Sequence, residues 1–463
     1  MTIRKLAVAS LFGLLSFTTV ARSQELFDGA GDARSKEVMR RAAEDIEKYR
    51  KGDFTLELVD RKGHPIAGKE AVAELVSHQF DFGTNTFGLF EMQPDDPLRR
   101  KALETIRETF NKVVICNYWG ESDSEKTLAA NMEAIDWATA NGIRTRFHAV
   151  LYNQKWFKGR NYTPEQCRQL MEERLRFVSR HFGKKIDEFD ITNEFVSMDI
   201  WDKNRPAEQR FVNAAPGFPK LRDPEISKEV YALARKYLPD AKLVCLETQI
   251  PSVKNPDFLE IMEFFRGFAA VGGDFDYLGH QCHFYAKNRP YQQGLSDDAP
   301  DAFTMAGIEQ GLEMLASVGK PVVITEFNGP SRNSRWKPVM CDRIWKMSEE
   351  ENAAWQINFY RLAFSKPYIL GVTRWFHIDN VCGVGLDTGI LKENGEEHMI
   401  CGALHRLIKK EWHTQATCRS DTSGLVSFRG FYGEYRLSVA GYKTAKITLH
   451  DTTQGTVRVV LER

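Results

Sequence analysis

The chain of 463 residues carries 63 basic and 63 acidic side chains, a formal charge of zero. That balance predicts no polyanionic partner such as nucleic acid and is compatible with a neutral substrate. Its eight cysteines are scattered, with no Cys-x-x-Cys pair and no metal-type spacing, so no metal site is read from them.

Residues 1–23 read as a secretory signal peptide. Arg4 and Lys5 precede the apolar run LAVASLFGLL, and the small residues Ala21 and Ser23 precede a cut. The run is too short for a comfortable membrane span. A soluble periplasmic or secreted product starting near Gln24 is expected. Its roughly 440 residues suit one large α/β domain plus a smaller module.

Residues 24–79 are assigned an N-terminal helix and the first strands of that module. DFTLELVDRKGHPIAGKEAVAELVSHQF reads as two strands around a Gly/Pro turn. From 80 to 410 the pattern repeats as apolar strand, loop and amphipathic helix. The strands are FDFGTN, VVICN, RTRFHAVLY, KIDEFDITNE, AKLVCLE, DYLGHQCH, PVVITEF and ILGVTRWF. In PEQCRQLMEERLRFVSRHFG, Met171, Leu175, Val178 and Phe182 fall at helical spacing, with Pro164 near the start and Gly183 after the end. Eight strands each followed by a helix predict a (β/α)8 TIM barrel. A doubly wound open sheet is the runner-up, but GVGLDTG has the wrong spacing for a phosphate loop. Residues 411–463 hold four short strands. An isolated hairpin is marginal in water, so N- and C-terminal strands are expected to close one small β-sandwich module. Cys245 and Cys282 lie in strand-like runs and are expected as buried thiols, Cys341 and Cys382 are a candidate pair on loops, and Lys409-Lys410 reads as a solvated helix end.

Chemistry in such a barrel sits at the C-terminal strand ends. Here those ends offer His148 and Tyr152, Asn193 and Glu194, Gln281 and His283, Glu326 and Asn328, then Trp375 and His377. Glu194 and Glu326 end the fourth and seventh strands, across the mouth from one another. Two carboxylates facing each other at roughly 5–5.5 Å suit a retaining glycosidase, with Trp375 as a flat floor for a sugar ring. A structural ion pair remains the other reading of each carboxylate. His280 and His283, at i and i+3, point to opposite faces of a strand, which argues against a metal; no cofactor is expected.

The ordered set FNKVVICN, FHAVLYNQKW, FDITNE, LGHQCH, VITEF and GVTRWFHID resembles glycoside hydrolase family 10, the endo-β-1,4-xylanases, over roughly Phe80 to Lys410. The resemblance implies Glu194 as acid/base and Glu326 as nucleophile. It implies Asn117, His148, Tyr152, Asn193, Gln281, His283 and Trp375 as substrate-binding residues. It departs from the family at Gly120, near the place of a sugar-contacting Lys. It departs also at Tyr152 and Asn153 for Trp and His, at Asn328 for Asp, and at Phe376 for Gly. The expectation is a retaining endo-glycosidase acting on β-1,4-xylan or decorated xylan by double displacement. Its partner is the polysaccharide, with no nucleic acid or membrane, and the chain is expected as a monomer. The same chemistry on another β-linked polysaccharide and a non-catalytic carbohydrate-binding barrel are the alternatives. Tyr118, Trp119, Trp156 and Trp336 are read either as further subsites or as packing.

Overall fold

The computed structural model describes residues 27–120, 124–152, 161–203, 217–284, 300–330, 347–380 and 387–463. A helix α1 (Ala33–Tyr49) leads into two strands, β1 (Lys51–Val59) and β2 (Glu70–His78). Eight parallel strands then follow: β3 (Asp81–Asn85), β4 (Lys112–Cys116), β5 (Arg144–His148), β6 (Glu188–Asn193), β7 (Lys242–Glu247), β8 (Tyr277–His280), β9 (Val322–Phe327) and β10 (Ile369–Arg374). Their sheet order is their chain order, and β10 closes on β3. Every strand expected in the barrel is present in its expected place. Helices wrap the outside: α2 (Pro97–Thr109), α3 (Glu125–Ala140), α4 (Pro164–Phe182), α5 (Phe195–Lys203), α6 (Pro224–Tyr237), α7 (Pro256–Ala270), α8 (Met305–Ala316), α9 (Glu349–Ser365) and α10 (Met399–Arg406). Among the described residues no helix is long and apolar enough to cross a membrane.

Local chemistry explains the boundaries. Helix α4 starts on a capping box: the Thr163 side chain accepts from Gln166 N, and the Gln166 side chain accepts from Thr163 N. Pro164 occupies the first turn, where its missing N–H costs nothing. Its buried face holds Met171, Leu175, Val178 and Phe182 as the spacing predicts, but also Arg174. Strands β6 and β9 are buried at every residue, as expected where helices cover one face and the barrel interior the other.

The N-terminal end of the barrel is closed by charge. Lys112 Nζ lies 2.8 Å from Asp81 and 2.5 Å from Glu188, and Arg144 Nε donates to Asp81 at 2.7 Å. Near this end the remaining strands build two facing sheets. One has the order β12 (Leu425–Phe431), β1, β15 (Thr456–Val460); the other runs β11 (Gln415–Arg419), β2, β13 (Gly433–Val439), β14 (Ala445–Leu449). Phe54 on β1 pairs with Phe428 on β12, and both rings lie within 6.3 Å of Tyr435 on the opposite sheet. Leu56 and Leu58 are fully buried between them. The module is thus a sandwich closed from both ends of the chain. Trp412 stacks on Phe82 at 5.6 Å and joins it to the barrel.

Three expectations need correction. Helix α1 does not belong to the β-module. Met305 N donates to Gly29 O at 2.8 Å and Arg41 pairs with Glu309 at 2.8 Å, so this segment lies on α8 and α9 of the barrel. Gly29 adopts φ 74°, and a Cβ there would meet Met305 and the Trp355 ring at 2.8 Å. Strand β11 was not foreseen, because its residues alternate only between exposed and half-buried and carry no apolar stripe. Lys409 is half-buried, and burial pushes its ammonium pKa down; only Lys410 is exposed.

Candidate active site

The mouth of the barrel is assembled by two departures from regular strand geometry. In an unbroken strand Asn193 and Glu194 would face opposite sides. Here the ladder between β6 and β7 skips a residue between Asp190 and Thr192, which re-aims the residues beyond it. Asp190 therefore points into the barrel, Thr192 turns outward to the Tyr231 hydroxyl at 2.8 Å, and Asn193 points into the mouth. Glu194 then takes a left-handed backbone, φ 61°, which for a non-glycine residue costs about 1–3 kcal/mol and concentrates at working sites. The result is that one amide reaches both side chains. Gln281 Nε2 donates to Asn193 Oδ1 at 3.1 Å and to Glu194 Oε1 at 2.8 Å. Cys282, between Gln281 and His283, is also left-handed at φ 54°.

Glu326 faces this group from β9. It is buried, whereas Glu194 is half-buried at the opening. His283 Nε2 stands 3.3 Å from Glu326 Oε2, and His148 Nε2 stands 3.6 Å from Oε1. Asn328 Nδ2, which can only donate, lies 3.1 Å from His283 Nδ1. The Nδ1 atom is then the acceptor, and in the neutral ring Nε2 carries the hydrogen that points at Glu326. Below, His148 Nδ1 is 2.8 Å from Asp190 Oδ2, and Arg146 Nε is 3.6 Å from the same oxygen. Burial, followed by the charge of Glu194, raises the Glu326 carboxyl well above the ordinary range, with Arg146 and the Gln281 amide opposing. On the far side of β9, Phe327 stacks on Phe359 at 4.2 Å and anchors the strand end.

Around this centre lies an aromatic wall. Trp375 is half-buried, with its ring 5.0 Å from His148; Tyr118 lies 5.6 Å from His148 and 5.4 Å from Tyr152. The Tyr152 hydroxyl is 3.4 Å from Glu194 Oε2. Thus Glu194, Glu326, His148, Tyr152, Asn193, Gln281, His283 and Trp375 come together as predicted. Asn117 is fully enclosed behind them, and its Oδ1 accepts from Arg174 at 2.9 Å. His377 does not join: its Nδ1 meets Thr84 Oγ1 at 3.2 Å, its ring lies edge-on to Phe110, and burial lowers its pKa to about 3. Trp119 packs against Cys167. Trp156, Trp336, Asn153, Cys341 and Cys382 lie outside the described residues.

Four supporting charges escaped the sequence reading. Arg174 donates to the carbonyls of Asn117, Ala149 and Val150. Asp190 and Arg146 form the layer under His148. Glu247, buried at the end of β7, accepts from Val196 N, Ser197 N and Ser197 Oγ at 2.9, 3.1 and 2.8 Å. The available signal was a charge at a position that periodicity assigns to the core. His280 packs on Phe258 away from His283, and among the described residues no group of three His, Cys, Asp or Glu side chains could hold a metal ion. Cys245 and Cys282 are buried free thiols.

Known proteins share this frame. Residues 73–382, more than half of the chain, match the model of glycosyl hydrolase family 10. The Arabidopsis thaliana endo-1,4-beta-xylanase 1 is 22% identical over 431 residues, 90% of this chain and 39% of that protein. The anti-sigma-I factor RsgI6 of Acetivibrio thermocellus is 25% identical over 412 residues, 86% of this chain and 46% of that protein. The chain thus spans less than half the length of these relatives. Xylanase 10B from Thermotoga petrophila, solved with xylobiose, superposes with a TM-score of 0.54 at 18% identity, over 72% of this chain and 95% of that one. The GH10 protein from Paenibacillus barcinonensis superposes with a TM-score of 0.52 at 18% identity, over 72% and 95%. The chain belongs to glycosyl hydrolase family 10.

Proposed function

We propose that the protein is a retaining endo-β-glycosidase that hydrolyses β-1,4-xylan or a decorated xylan by double displacement. The observation that carries this reading is the pair Glu194 and Glu326 at the strand ends of one mouth, the first held by Gln281 Nε2 at 2.8 Å and the second faced by His283 Nε2 at 3.3 Å. Glu326, buried and faced by two imidazoles, is the nucleophile. Glu194, half-open to solvent, is the acid/base, because that group must exchange its proton with water between the two halves of the reaction.

In the first half, a Glu326 oxygen forms a bond to the anomeric carbon as the bond to the leaving oxygen breaks. Glu194 delivers its proton to that oxygen, and the leaving sugar departs. In the second half, Glu194 takes a proton from water, the water oxygen bonds to the anomeric carbon, and the ester to Glu326 breaks. Two inversions return the starting configuration. With both carboxyls ionised the pair is unfavourable, so the site favours one proton; the first half requires that proton to stand on Glu194 and Glu326 to be ionised. His283 Nε2–H supports the charged form of Glu326, and Trp375 offers an apolar face to the C–H side of a pyranose.

Xylan as substrate rests on the xylanases among the relatives and on the xylobiose bound to one similar structure. Export, proposed from the basic and apolar character of residues 1–23, would place the enzyme where polymeric glycans occur. Incubation with a panel of plant polysaccharides, with products identified and their anomeric form followed by NMR, tests the reading. Release of β-configured xylo-oligosaccharides is expected. Inverted products refute double displacement. Tight binding without new reducing ends from any polymer refutes the hydrolase.

A further inference from the structure

We propose that Glu247, on the neighbouring strand β7, is the positioning residue of Glu194; the inference rests on the glycosidase reading above. Helix α5 begins at Phe195, directly after the left-handed Glu194. The first N–H groups of a helix have no partner within it, and here they are satisfied across the sheet. Both Glu247 oxygens are engaged, one by Val196 N at 2.9 Å and the other by Ser197 N and Oγ at 3.1 and 2.8 Å. The same residue holds the other partner of Glu194. Its carbonyl accepts from Gln281 N at 3.0 Å, while the adjacent Leu246 carbonyl accepts from Glu194 N at 3.2 Å.

The Glu247 side chain and the carbonyls of Leu246 and Glu247 thus fix three things. They fix the entry of α5, the backbone turn that aims Glu194, and the strand carrying the amide that grips its carboxyl. Helix capping alone would be served by a Ser, Thr, Asn or Asp at the cap itself. That place is taken by Glu194, whose own carboxyl is turned to Gln281 and Tyr152. The capping duty falls to Glu247, which leaves Glu194 free for the mouth. Burial, the largest influence on Glu247, outweighs these donors and raises its carboxyl to about 8.

The consequence is read most cleanly in the first half of the reaction, where Glu194 gives its proton. A displaced acid/base slows departure of a poor leaving group, and spares one that leaves as a stable anion. The test uses the full chain with two aryl β-xylobiosides, one releasing a weakly acidic phenol and one a dinitrophenol. In Glu247→Ala, kcat/KM, which reports formation of the glycosyl-enzyme, is expected to fall about 100-fold on the weakly acidic phenol, the scale of a misplaced reacting group, and less than about 5-fold on the dinitrophenol. The ratio of the two rates within one preparation does not depend on the folded fraction. Glu247→Gln, which keeps the side-chain shape and one acceptor oxygen but turns its NH2 towards one of the helix N–H donors, is expected to recover only part of the lost ratio. Equal losses on both substrates, or no loss, overturn the inference. Wild-type protein inert towards both substrates removes the glycosidase reading and this inference with it.

Discussion

Gln281 Nε2 donates to Glu194 Oε1 at 2.8 Å and to Asn193 Oδ1 at 3.1 Å. One amide therefore holds the acid/base and its chain neighbour Asn193 together. Gln281→Ala is expected to reduce kcat/KM on xylo-oligosaccharides about 10- to 100-fold, through loss of orientation. Gln281→Glu is expected to lose more, because it replaces the donor by a third negative charge. A Gln281→Glu enzyme as active as Gln281→Ala would contradict a donor role for this amide.

His283 presents Nε2–H to Glu326 because Asn328 donates to Nδ1. Removing a donor to the ionised form raises a carboxyl pKa. In His283→Ala the acidic limb of the kcat/KM profile, which reports the free enzyme, is expected to move to higher pH. An unmoved limb, or one moved to lower pH, would show that His283 does not support the charge of Glu326.

The two carboxyls are expected to separate by leaving group. Glu194→Ala should lose about 10²–10⁴-fold on xylan, the worth of general acid–base help. It should still release a dinitrophenol rapidly in a first burst. Glu326→Ala should release neither. Steady-state and burst kinetics on the two substrates check this, and a burst in Glu326→Ala would reverse the assigned roles.

Buried histidines make stability depend on pH. His78, His280 and His377 have pKa values lowered by burial to about 3. The unfolded chain takes up their protons near 6.5, and the folded one does not. Their contribution is intact above about 6.5 and is lost as pH falls from there towards 3, by about 1.4 kcal/mol per pH unit per histidine. Thermal melts between pH 7 and 4 should show a steep fall in Tm. Replacing His280 by Gln should make that fall shallower, and an unchanged slope would contradict the assignment.

The strand pairing of the module gives a separate prediction. Leu58 is completely buried, on a strand held between β12 and β15. Leu58→Ala is expected to cost about 2–5 kcal/mol in denaturant unfolding, without a change in kcat at 25 °C. A loss under about 0.5 kcal/mol would mean that the N-terminal strand is not part of the module core.

Much of this molecule was legible in its residues. Each barrel strand is a short apolar run punctuated by Gly, Pro or Asp, and parallel strands buried on both faces need such runs. Leu56 and Leu58 demanded cover that two strands alone do not provide, which pointed to the C-terminal strands. The partners at the site were less legible because they are set by register. Asp190 meets His148 across 42 residues, and Glu247 meets Ser197 across 50. Nothing local distinguishes these from surface charges. The side-by-side Asn193 and Glu194 were visible, but their shared direction depends on a skipped residue and a left-handed turn that no periodicity reports. Helix α1 was misplaced for a similar reason: its apolar stripe called for a partner without naming it.

The central claim is a covalent bond between sugar and Glu326, formed while Glu194 serves the leaving oxygen. An activated 2-deoxy-2-fluoro-β-xylobioside slows both halves of the reaction but drains the second more, so the intermediate accumulates. Intact-protein mass spectrometry should show one added fluoro-xylobiosyl group, and peptide mapping should place it on Glu326. A label on Glu194, or an unlabelled protein that nonetheless turns over xylan, would contradict the account.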